Sequence, residues 1–295
     1  MITENIAVAR AKTFADTRCV VGEGPLWCAR ERAFYWLDLS LGHVYRKGES
    51  AATADEFERF ELNVGKIGGM VMTKSGGFLL FCVEGNVYSW RPNCEPVKIA
   101  ELPEAKGGRF NDVIASPEGG VFCGVIHADK TGTLWYFSPE KKFTRVDGVF
   151  HGNPNGMGFS PDGKTLYFAV SEEYAICKYD YRDAVCSNRK VFASFPQNGG
   201  CPDGLTVDSH GNVWTAMWNG AAVQKFSPDG KKIAEYKFPI KKTTSVAFGG
   251  EKLDRMVITT ANTPWSEEDF EKFQSGKVFE ISDSGTGLPE FCASF

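Results

Sequence analysis

A short strand-like run recurs at almost constant spacing along the whole chain. It appears as FYWLD at Phe34 to Asp38, FLLFC at Phe78 to Cys82, VFCGV at Val121 to Val125, LYFAV at Leu166 to Val170, VWTAM at Val213 to Met217 and MVITT at Met256 to Thr260. The first residues of successive runs are 44, 43, 45, 47 and 43 positions apart. Self-similarity at such a period marks an array of supersecondary units, each unable to bury its apolar face alone. Runs this short, rich in aromatic and β-branched residues, read as strands. Turn residues introduce several of them, as in Ser116-Pro117-Glu118-Gly119, Ser160-Pro161-Asp162-Gly163 and Asp208-Ser209-His210-Gly211-Asn212. Proline sets φ and glycine supplies positive φ in such turns, so each run is the second strand of a hairpin.

The first hairpin strands then begin near Glu23, Ile67, Asn111, Asn155, Asp203 and Thr244. A third strand follows in every unit, from His43, Asn86, Thr133, Ala175, Ala222 and Lys277, and a fourth in five of them, from Phe57, Val97, Phe143, Lys190 and Lys232. The sixth unit lacks its fourth strand. The N-terminal run Ile6 to Ala11 can supply it and close the ring, which removes the exposed sheet edge. Residues Gly287 to Phe295 are the rival. The expectation is an all-β, six-bladed β-propeller with four-stranded antiparallel blades, one domain over residues 1–295, with residues 1–12 as the closing strand. Ser266 to Phe273 departs from the pattern and predicts a short helix, with Ser266 as N-cap and Glu267, Glu268 and Asp269 in the first turn.

Composition excludes several function classes. With 33 basic against 37 acidic residues and no cluster of four or more Lys and Arg, the chain offers no track for nucleic-acid phosphates. No run approaches a membrane span, and Met1 to Phe14 has no apolar signal core, so a cytoplasmic protein without a membrane partner is expected. Nine cysteines without a C-x-x-C spacing argue against a disulfide framework or a thiolate zinc site.

In a propeller the first strand of each blade lines the central channel, so one repeat position forms a ring. Here that position carries Glu23, Ile67, Asn111, Asn155, Asp203 and Thr244, with Gly24, Gly156 and Gly204 directly after three of them. Four of six are carboxylates or carboxamides where a core-facing strand should be apolar. Converging carboxylates repel unless a cation or proton neutralises them. Glu23 and Asp203 balance a divalent ion, and Asn155 or Asn111 can add a neutral oxygen. Such hard oxygen donors suit Ca²⁺, Mg²⁺ or Mn²⁺ and are tolerated by Zn²⁺. The competing reading is that these Asn and Asp residues only make turns at strand entries.

The segments Gly22-Glu23-Gly24-Pro25-Leu26-Trp27, Tyr35-Trp36-Leu37-Asp38, Arg109-Phe110-Asn111-Asp112, Asn155-Gly156, Pro202-Asp203-Gly204-Leu205 and Thr244 to Gly250 resemble the SMP-30/gluconolactonase family, also called regucalcin-like, over nearly the whole chain. The resemblance implies a six-bladed propeller that hydrolyses sugar lactones with one divalent cation. Carried over by position, it implies Glu23, Asn155 and Asp203 as ligands and Arg109 and Asn111 as the groups that hold the sugar. Asp129 falls where the family often has an acidic substrate-binding residue. The chain departs from the family pattern at Val113, where Gly usually follows Asn-Asp, at Gly124-Val125-Ile126, and at Ala169, where an acidic residue is common.

A metal-dependent lactonase is therefore expected, a carboxylic ester hydrolase acting as a monomer or small homo-oligomer on a small-molecule sugar lactone. Asp203 would take a proton from the attacking water, and Arg109 would pair with sugar oxygens and developing carbonyl charge. The alternative from another class is a non-catalytic metal-binding propeller serving as a regulatory or interaction module, because a fold alone does not determine function.

Overall fold

Each repeat folds as the hairpin pattern dictates, because a run with apolar side chains toward both neighbouring blades is stable only between two other sheets. A computed structural model describes residues 6–8, 11–282 and 284–295. It contains six sheets that form the six blades of a β-propeller. Blade one is Gly22–Cys28, Ala33–Asp38, His43–Gly48 and Glu58–Glu61, in spatial as well as sequence order, and blades two to five repeat this meander. Their innermost strands are Ile67–Met72, Arg109–Ala115, Pro154–Phe159 and Cys201–Val207, and that of blade six is Thr243–Gly249. The second strands are buried along nearly their whole length, as in Phe78–Cys82.

The core is divided among the blade interfaces. Among the described residues, six apolar clusters are found, one between each pair of adjacent blades. The cluster between blades six and one contains Phe14, Trp27, Phe34 and Trp36, and ring closure is therefore a packing event as well as a hydrogen-bonding one.

The closing strand differs from the sequence expectation. Lys12–Ala15, not Ile6 to Ala11, pairs antiparallel with Val278–Ser282 of blade six. Ile6–Val8 instead adds as a parallel fifth strand to Lys232–Lys237 of blade five. The alternation of Ile6 and Val8 predicts a strand but not its partner. Phe14 selects the partner, its ring standing edge-on 5.2 Å from Phe34 and 6.1 Å from Trp36 of blade one. The residues 1–5 and 9–10 of the expected closing segment lie outside the described residues.

The insertion in blade six is helical over Glu267–Phe273, and the Ser266 hydroxyl accepts from the Asp269 N–H at 3.1 Å as an N-cap. No helix among the described residues is long and apolar enough to cross a membrane.

Candidate active site

All six innermost strands are irregular at or beside the ring position. The pairing to the second strand slips between Glu23 and Leu26, Ile67 and Gly69, Phe110 and Val113, Pro154 and Met157, Pro202 and Leu205, and Thr243 and Ser245. Each slip inserts one extra residue, a bulge that re-aims the neighbouring side chain. Six bulges at one level turn the ring side chains into a single polar centre. Glycine following the ring residue lets the strands approach there: a Cβ at Gly156 would lie 2.2 Å from the Leu205 amide nitrogen, and one at Gly204 2.0 Å from Ser245 Oγ. In blade three this place is taken by Asp112, so a fifth acidic or amide group enters the centre.

Glu23, Asn111, Asn155 and Asp203 are all buried, at 7%, 7%, 6% and 5% exposure. The Asn155 amide donates to Ser171 Oγ at 2.9 Å, and Ser171 Oγ donates to the Pro202 carbonyl at 2.8 Å, which couples the ring residues of blades four and five. The neighbouring Asn155 side chain favours the ionised form of Asp203. Asn111 Nδ2 donates to the Pro154 carbonyl at 2.8 Å, and its Oδ1 accepts from Arg109 Nη1 at 2.5 Å. At blade six, Thr244 Oγ1 donates to the Gly22 carbonyl at 2.6 Å beside Glu23. Asp38, at the end of the Tyr35-Trp36-Leu37-Asp38 segment, is structural: its carboxylate accepts from the N–H groups of Val20 (2.7 Å) and Val21 (3.3 Å), which lead into the Glu23 strand.

The charges do not balance within the protein. Burial raises the Glu23 carboxyl well above its ordinary range, and the facing Asp203 and Asp112 raise it further. Asp203 is raised by burial and then by Asp112. Asp112 is pushed up to about 7 by burial against the opposing pull of Arg109. Arg109 is the cation among them, its own guanidinium disfavoured by burial and supported by Glu23, Asp112 and Asp203. Three carboxylates against one guanidinium leave a deficit that one dication would cancel. Among the described residues no three His, Cys, Asp or Glu side chains are arranged to hold a metal ion. The donor set that does fit a hard cation is mixed: Glu23 and Asp203 carboxylates with the Asn155 amide oxygen.

A sequence profile described as the SMP-30/Gluconolactonase/LRE-like region matches residues 21–262. The chain belongs to this family. It is 35% identical to a pentonolactonase of Haloferax volcanii over 287 residues, covering 94% of this chain and 95% of that protein. It is 31% identical to regucalcin of Xenopus laevis, covering 90% and 91%. A solved luciferin-regenerating enzyme superposes with a TM-score of 0.87 at 24% identity, over 97% of this chain and 100% of that one, and shares the fold.

Of the residues that the family resemblance implies, Glu23, Asn155, Asp203, Arg109 and Asn111 lie together. Asp129 does not join them. It is exposed, and its Oδ1 accepts from the Thr131 N–H at 3.0 Å and the Thr131 hydroxyl at 2.7 Å, so the carboxylate organises its own loop. His127 is engaged through Nδ1 with the Glu104 carbonyl and through Nε2 with Thr133 Oγ1. Cys201 has its thiol pushed up to about 12 by burial, which removes it as a nucleophile near neutral pH. Asp112 is the residue that sequence reasoning missed. Its signal was available, since it stands where blades one, four and five have glycine.

Proposed function

We propose that this protein is a divalent-metal-dependent hydrolase that opens sugar lactones to aldonic acids. The observation that carries the reading is the buried, charge-deficient ring of Glu23, Asp203 and Asp112 beside the Arg109–Asn111 pair, on the fold of a family whose members include a pentonolactonase. Glu23, Asn155 and Asp203 would hold the cation. When bound, that ion polarises a carbonyl and lowers the pKa of water. The choice among Ca²⁺, Mn²⁺, Mg²⁺ and Zn²⁺ follows from oxygen-only donors and favours the first three.

The remaining work falls to side chains. Arg109 carries a fixed charge and a planar fork, suited to paired sugar oxygens and to charge developing on the carbonyl oxygen. Asn111 holds that guanidinium in place at 2.5 Å. Asp203 Oδ takes the proton from the attacking water, and Ser171 fixes the adjoining Asn155 amide. Asp129 would act on substrate only at the outer edge of the site, from its exposed loop.

The test is a screen of aldonolactones against the protein loaded with each metal, read by acid release, because opening a lactone liberates a proton. Asp203→Asn should leave a folded protein with at least tenfold weaker metal affinity by calorimetry, since it removes one of the two ligand charges. Tight metal binding with no turnover of any lactone would instead support the non-catalytic module, and unchanged metal affinity in Asp203→Asn would discard this ligand set.

A further inference from the structure

The channel continues past the ring. Beneath it the innermost strands and the C-terminal segment line a cavity of about 340 Å³, partly open to solvent, on the side away from the strand entries that carry Glu23, Asn155 and Asp203. Its wall is largely apolar, with Leu26, Met70, Ile114, Met157 and Leu205 among the lining side chains. Its floor is the C-terminal segment, which contributes Leu288, Pro289, Glu290 and Phe291. That segment is tied down on several blades. The Gly287 N–H donates to the Leu253 carbonyl at 2.8 Å, the Ala293 N–H to Met72 at 2.8 Å and the Ser294 N–H to Gly119 at 2.7 Å. Phe295 stacks on Phe137 at 5.0 Å.

Two carboxylates border this apolar space, Asp112 from blade three and Glu290 from the floor. Glu290 is half-buried and makes no hydrogen bond or ion pair with any described residue. It also borders an outer groove that carries Arg30 and Lys74, and pairs with neither. Burial raises its carboxyl to about 7. A carboxylate so placed is stabilised by an incoming donor. Beside it, Phe159 and Phe291 meet edge to face at 5.7 Å and both line the cavity.

We propose that this cavity is a binding site for a small organic ammonium ion of about the size of benzylamine. An ammonium offers its donors to Glu290 and is attracted to an aromatic face, while an apolar body fills the space between Leu, Met and Ile side chains. A divalent metal is a poor match, because the Glu290 carboxylate in an apolar wall cannot supply its six or more oxygens. A sugar is a poor match too, since its hydroxyls would be left unpaired. The cavity volume lies within the range of small-ligand sites. The site is separate from the lactonase reading and stands or falls without it.

The experiment is calorimetric titration of the metal-loaded protein with benzylamine and with benzyl alcohol, its neutral isostere, at about pH 8, where the amine is protonated and Glu290 ionised. Benzylamine should bind at least tenfold more tightly than the alcohol. Glu290→Gln should erase that margin and Asp203→Asn should preserve it. Equal affinity for amine and alcohol would overturn the proposal, as would a margin lost in Asp203→Asn and kept in Glu290→Gln, which would place the amine at the ring. Should Glu290→Gln fail to fold, Leu288→Trp fills the cavity from its floor. Loss of amine binding in that variant supports the site, and retained binding refutes it.

Discussion

Ring closure depends on one aromatic side chain, and replacing Phe14 by alanine tests it. Phe14 is 5% exposed on the strand Lys12–Ala15 and lies against Phe34 and Trp36 across the junction of blades six and one. The Arg255 guanidinium sits 5.7 Å from its ring and stays paired with Glu280 at 2.7 Å in the variant, so no buried charge is orphaned. Truncating a buried Phe to Ala costs about 3–5 kcal/mol, through lost transfer energy and the cavity left behind. For a chain of 295 residues, an unfolding entropy of about 2.1 cal/mol/K per residue gives roughly 0.6 kcal/mol per degree. The expected fall in Tm is therefore about 5–8 °C, measured by calorimetry on metal-free protein. Hydrogen exchange should quicken selectively at the amides of Val278–Ser282, which lose their docked neighbour. A Tm within about 1 °C of the parent, with unchanged exchange on that strand, would refute closure by this segment.

The remaining expectations concern the site and the tail. Arg109→Lys keeps the charge and loses the fork, so lactone turnover should fall by tenfold or more with metal stoichiometry unchanged; full kinetics would place Arg109 outside the substrate path. Glu290→Gln should raise stability progressively as pH rises from about 4.5 to 7, and not below that window. A carboxyl shifted from 4.5 up to about 7 makes the folded state bind the extra proton, so the parent loses stability as pH rises from about 4.5 to 7 and then levels off. The advantage of the variant should be near zero at pH 4 and reach about 1 kcal/mol at pH 8, below the roughly 3 kcal/mol of the full shift because water still reaches the half-buried side chain. Chemical denaturation at the two pH values measures it, and a constant difference would contradict the assignment. Removing residues 289–295 should lower Tm by several degrees, because Ala293, Ser294 and Phe295 bind blades two and three; an unchanged melt would mean that the tail is not docked.

The repeat period was legible because it is local: a strand-forming run of five residues and a turn occupy one stretch of chain, and their spacing reports the blade count directly. The ring residues Glu23, Asn111, Asn155 and Asp203 were legible for the same reason, since polar residues at one repeat position stand out against an apolar strand. Other features depend on partners far apart in sequence. Whether Ile6–Val8 or Lys12–Ala15 completes blade six is decided by Phe14 meeting Phe34 and Trp36, a contact made only when the circle is already nearly closed. The bulges that aim the ring inward belong to strand pairing, not to any residue type, so no composition reveals them. Asp129 matched a family position yet turns to its own Thr131, because a nearby hydroxyl and amide satisfy a short acidic side chain within its loop. Asp112 was visible as a residue, but its entry into the acidic centre follows from the bulge at that level, where blades one, four and five carry glycine and blade three carries a carboxylate. Likewise the tail reads as an unremarkable C-terminus, and only the assembled propeller gives it a channel end to close, because the surfaces it joins come from blades that do not exist until the ring has formed.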